Sequence, residues 1–163
     1  MDTPSPTDAD TAVDDAISAQ GFHVIGVEAD NDENLGLCYT AGLAERGHPD
    51  YVVATLIAEG SGGTLLAEAA RQAMLGNPIG TGRQMIDGAT DRTWVLDIPA
   101  AQARALMPLA SERFRRSVIA PNRPFRARQI VWAYQGYFPW EEGYDGPEGI
   151  QPLYGTPPRP LRP

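Results

Sequence analysis

Lysine is missing from this chain, and all 13 of its basic residues are arginine. A phosphate-cradling P-loop is excluded on that ground, because its Gly-Lys-Ser/Thr needs the amine. A GC-rich genome would produce the same bias without functional meaning. The functional alternative is that guanidinium forks suit carboxylates and phosphates better than ammonium groups do. Cysteine is nearly missing too. Cys38 stands alone, so it forms no internal disulfide, and a lone thiol is at home in a reducing cytoplasm. No stretch approaches the roughly 18 apolar residues that cross a bilayer. The opening "MDTPSPTDAD" has neither the basic nor the apolar region of a secretory signal. A cytoplasmic protein without membrane contact is therefore expected. The net charge of −8 argues against general nucleic-acid binding, whose footprint is basic. No dinucleotide-binding glycine fingerprint is present, although a flavin held in a β-barrel would leave none. The cofactor is left open.

What is present fits one domain. The 163 residues are enough to bury a core unaided, and 42% of them are hydrophobic. Residues 1–10 read as a disordered acidic lead, 11–145 as a single globular domain, and 146–163 as an extended Pro-rich tail that need not pack fully. Within the domain, a helix is expected over 11–20, where Val13, Ala16 and Ile17 share a face. "FHVIGVEA" alternates as a strand, placing Phe22 and Val24 on one side and His23 and Ile25 on the other. "LCYTAGL" and "YVVATLI" follow as strands, joined by the turn-rich "AERGHPD". "SGGTLLAEAARQAMLGNP" carries the clearest helical pattern, closed by Gly76. "RTWVLDI" and "RARQIVWAYQ" are strands, and between them "PAAQARALMPLASERF" is a helix ended or kinked at Pro108. The expected fold class is α+β, a mostly antiparallel sheet with two or three helices.

Charge is distributed unevenly. Residues 1–103 hold 16 acids against four arginines, a balance of −12, whereas 104–128 hold seven arginines and only Glu112, a balance of +6. Arg113, Arg115, Arg116, Arg123, Arg126 and Arg128 are either an anion pocket or a solvated face. His23 and His48 are the only histidines. If the first two strands pair as a hairpin, both approach one end of the sheet, where they could serve as acid/base groups or, with Glu28, Asp30 or Asp50, hold a metal. No spacing matches a known metal signature, so no metal is assigned. Cys38, ten residues from His48, is a nucleophile only with a lowered pKa, and lone cysteines more often pack as small hydrophobes. "DNDENLG" resembles a calcium loop but lacks its glycine and its bidentate glutamate. "EGSGGT" reads as a helix cap before it reads as an anion site. "QIVWAYQGYFPWEEGY" gathers Trp132, Tyr134, Tyr137, Phe138, Trp140 and Tyr144, which either close the core or wall a ligand slot.

Three of these stretches, "GFHVIGVEAD", "CYTAGLAERGHPDYVV" and "QIVWAYQGYFPWEEGY", together resemble the bacterial family catalogued as domain of unknown function 4262. The likeness spans about residues 20–145. It implies no activity, because the family has none assigned, but it bears on residue choice. His23, Tyr39, Thr40, Gly42, His48, Pro49, Gln129, Trp132, Pro139 and Trp140 fall on motif positions, and Cys38 does not. Two readings follow. The first is a hydrolase- or transferase-type enzyme, with His48, His23, Tyr39 and Thr40 as catalytic candidates. Trp132, Trp140, Gln129, Arg126 and Arg128 would line its ligand pocket. The second is a non-catalytic binding module whose aromatic groove and arginine face hold a peptide or protein partner. The first is narrowly preferred on sequence, with the second as its alternative, and the oligomeric state is left open.

Overall fold

The structure is a computed structural model that describes residues 6–27, 36–54, 61–89, 91–147 and 149–159. Its elements are α1 (Pro6–Gln20), β1 (His23–Val27), β2 (Leu37–Ala41), β3 (Asp50–Ala54), α2 (Ser61–Met74), β4 (Gly82–Gln84), β5 (Thr93–Ile98), α3 (Ala100–Leu106), α4 (Pro108–Arg116) and β6 (Ala127–Trp132). Short 3-10 turns occupy Ala44–Arg46 and Ala120–Asn122. The strands form one sheet in the order β1-β2-β3-β6-β5-β4. Pairing is antiparallel except at the centre, where Asp50, Tyr51 and Val52 of β3 run parallel to Ala127, Arg128 and Gln129 of β6.

Two expectations about the fold are corrected here. The sheet is mixed, because β6 returns beside β3 only after α2, the β4–β5 hairpin, α3 and α4, and a connection that long permits a parallel neighbour. There are four helices among the described residues, because Pro108 divides one apolar pattern in two. Proline has no N–H for the preceding turn and drives Met107 out of the helical region, to φ −126°, before taking the first position of α4. Part of the tail packs: Gln151 is buried, and residues 151–155 lie against the sheet. The expected turn "DNDENLG", apart from Gly36, and the end of the strand "YVVATLI" fall outside the described residues. Among the described residues, no helix is long and apolar enough to cross a membrane.

The alternation of the strands decides what each face covers. Cys38, Tyr51, Val53, Val95 and Ile130 point to one face and meet Leu65, Leu66, Ala69, Ala70 and Ala73 of α2. Those α2 positions recur at three- and four-residue spacing, so the helix buries one continuous stripe. Each leucine contributes about 1.5–3 kcal/mol by leaving water. Tyr39, Ala41, Val52 and Ala127 point to the opposite face, toward Ile17 of α1, Ala103 of α3 and Ala110 and Phe114 of α4. Farther along that face, Leu96 and Val131 meet Phe138 and Trp140.

Candidate functional site

The loop joining β2 to β3 is built around a buried carboxylate. Asp50 is fully buried. Its Oδ1 accepts the Thr40 hydroxyl at 2.7 Å and the Leu43 amide at 3.2 Å, and its Oδ2 accepts the Ala44 amide at 3.1 Å. The carboxylate thus caps the 3-10 turn Ala44–Arg46 from outside the turn, satisfying donors that a helix start leaves unpaired. Thr40 is engaged twice, since its oxygen also accepts the Tyr51 amide at 2.9 Å. Burial raises the Asp50 pKa to about 7, with Thr40 and the two amides restraining the rise and the nearby Glu45 charge adding to it. Two glycines let the loop close. Gly42 has φ 104°, and a Cβ there would meet the Gly21 carbonyl at 3.0 Å; Gly47, at φ 85°, ends the 3-10 turn.

This closure delivers two histidines and three arginines to one end of the sheet. β1 starts at His23 opposite Ala41, the last residue of β2. β3 starts at Asp50 beside Ala127, the first residue of β6. His48 is tied to the loop through its amide, which donates to Leu43 O at 3.1 Å, and the Asp50 amide donates to Arg126 O at 3.1 Å. Arg46 brings its Nε to 3.4 Å from where a Gly21 Cβ would stand, two residues before His23. Arg123 brings Nη1 to 3.9 Å from the corresponding point on Gly47, next to His48. Arg46, Arg123 and Arg126 are exposed, and the two histidines are half-buried. These three arginines form no ion pair with another described residue. The acid nearest in sequence, Glu45, is engaged by Arg113, with Nη2 at 3.3 Å from Oε2 and Nε at 2.9 Å from Oε1. The Nε–H is not aligned for a hydrogen bond, so that second contact is one of proximity. Arg113 also pairs with Asp14. The Asp14–Glu45–Arg113 group carries one net negative charge and Asp50 adds at most one more, so against the three arginines a smaller positive balance remains among these described groups.

The remaining expected residues are dispersed. Tyr39 is buried on the helix-rich face, its pKa raised mainly by burial. Cys38 is 2% exposed, and burial pushes its thiol pKa up, which is the setting of a packing residue. Trp132 packs on the α2 face and donates Nε1–H to Ala54 O at 2.9 Å, whereas Trp140 stacks on Phe138 across the opposite face. The two tryptophans therefore do not wall one slot. Gln129 is wholly buried, and its amide is spent on the tail backbone. Arg128 bonds Asp97 at 3.1 Å and the Ile79 carbonyl at 2.8 Å, a carbonyl that Tyr51 OH shares. Arg115 and Arg116 pair with Glu112. Among the described residues, no group of three metal-ligating side chains converges. A cavity of about 240 Å³ lies between α2 and β4, lined by Glu68, Gln72, Ile79, Gln84 and Asp87, and no expected site residue borders it.

Three residues escaped the sequence reading. Arg46 sits in an acidic half and carries no motif signal. Gln151 lies in a segment read as tail. Tyr51 looks like an ordinary strand residue until its hydroxyl is seen to hold the Ile79 carbonyl.

A mixed sheet with a carboxylate-capped loop and a basic end defines an α+β domain whose motif residues divide between interior and rim. Residues 16–145 match the family model described as domain of unknown function (DUF4262). The chain belongs to that family. No curated protein and no solved structure matches it.

Proposed function

We propose that this protein is a non-catalytic binding module that holds an acidic peptide or protein partner on the end of its sheet formed by His23, Arg46, His48, Arg123 and Arg126. The observation that supports this reading is the uncompensated charge there: three exposed arginines without ion-pair partners among the described residues, beside an acid already engaged by Arg113. Guanidinium forks accept carboxylates in two parallel hydrogen bonds. Against a net charge of −8, such an end steers an acidic partner to one orientation. Thr40 is spent inside the fold, and the aromatic residues lie on separate faces, so the pocket that the enzyme reading needs has less support. Cytoplasmic residence accords with the single buried thiol.

The test is a fluorescence titration with a labelled Asp/Glu-rich peptide. Saturable binding that weakens as salt is raised, and that drops at least about tenfold in Arg123→Glu/Arg126→Glu, is the expected result. Equal binding by the double variant would reject the reading. So would a co-purifying small molecule that is lost in His48→Ala, which would favour the enzyme.

A further inference from the structure

The tail is held by an arrangement that recognises backbone rather than sequence alone. The Gln129 amide donates to Pro152 O at 2.7 Å and accepts the Tyr154 amide at 2.8 Å, so one side chain reads both polar groups of an extended two-residue step. Gln151 reciprocates from the tail: its Oε1 accepts the Trp132 amide at 2.8 Å and its Nε2 donates to Trp132 O at 2.9 Å. Within the step that Gln129 holds, Leu153 enters the cluster of Leu96, Val131, Phe138 and Trp140. Tyr154 enters the neighbouring cluster, and burial raises its pKa. At Gly155 the tail runs so near β5 that a Cβ would stand 2.8 Å from the Leu96 Cβ and closer still to the Asp97 carbonyl. The whole receiving surface lies within the family-matching region 16–145, and the segment it receives lies beyond it.

We propose that this face of β5 and β6 is a peptide-binding groove for an extended Gln-Pro-Leu-Tyr-Gly type segment, which the chain's own tail fills as a tethered, exchangeable ligand. This site is separate from the basic end of the sheet and does not rest on the reading given for it. Four hydrogen bonds use backbone groups or glutamine amides, the pattern by which proteins bind extended peptides, and the side chains between them set the register. Pro152 pre-extends the segment and lowers the ordering cost. Tethering supplies an effective concentration in the millimolar range for short linkers, so the tail occupies the groove until a partner segment competes.

The experiment inserts a protease site between Asp145 and Gly146 of the full chain, cuts it after folding, and titrates the cut protein with a fluorescent peptide of sequence 149–159. The expected result is saturable binding with displacement of the cut tail, while the uncut chain takes up little peptide. Gln151→Leu in the peptide, and Gln129→Leu in the protein, should each weaken binding about tenfold, since each removes two hydrogen bonds. Absence of saturable binding by a cut protein that keeps its native circular dichroism would overturn the proposal. Equal binding of a scrambled peptide, or loss of the fold on cutting, would overturn it as well.

Discussion

The loop between β2 and β3 has an inside and an outside, and the two are built on opposite terms. Inside, each polar group has a partner: Asp50 takes three donors, and Thr40 both donates and accepts. Outside, Arg46 and its neighbours Arg123 and Arg126 are exposed and make no ion pair with a described residue. A saturated interior is a structural device, because a buried donor or acceptor left without a partner is costly. An unsatisfied, charged exterior gains nothing for the fold, and so it is the side on which recognition is proposed. The loop and the residues beside it thus separate into those that shape it and those that are displayed.

The largest expected effect lies inside. Asp50→Ala leaves the Leu43 and Ala44 amides and the Thr40 hydroxyl without their acceptor and should destabilise the protein by roughly 3–5 kcal/mol. Urea unfolding measures it, and a loss below about 1 kcal/mol would erase the contrast between the two sides.

Next comes the pH dependence of the same group. An unfolded aspartate titrates near 3.9, and Asp50 in the fold titrates at about 7. Between those values the folded protein binds the extra proton. The contribution from Asp50 is therefore complete below about pH 4 and is lost as pH rises through about 7. Wild-type stability should fall across that window by more than the stability of Asp50→Asn does, as measured by denaturant unfolding at several pH values.

The smallest effects belong to the outside. His23→Ala and His48→Ala, both at half-buried positions, should each destabilise by about 0.5–1 kcal/mol, well below Asp50→Ala. Under the binding reading they also leave acidic-peptide affinity within about threefold, because exposed partners contribute little individually. A larger loss from either histidine would sharpen the rim by naming its centre.

Periodicity made the strands visible, since "FHVIGVEA" and "LCYTAGL" alternate and the sides on which Phe22 and His23 fall can be counted. It did not reveal the parallel pairing of β3 with β6, which joins segments far apart in the chain and depends on what lies between. The same limit applied to the aromatic run. One stretch of sequence offered either core closure or one slot, but strand alternation sends Trp132 to the α2 face, and the turn at Tyr134–Tyr137 sends Phe138 and Trp140 to the other. Asp50 was visible as a carboxylate near a histidine. Its role as a cap required knowing that β2 and β3 are antiparallel neighbours, with Tyr39 opposite Val52. Gln129 and Gln151 carry no periodic signal, because a buried glutamine is defined by its partners.

Amide hydrogen exchange, with and without the acidic peptide, tests both sides of the loop at once. The Leu43 and Ala44 amides, held by Asp50, should exchange slowly in both states. The peptide should add protection only around residues 21–23, 46–48 and 123–126. Fast exchange at Leu43 and Ala44, or peptide protection confined to the α2–β4 cavity, would contradict this contrast between inside and outside.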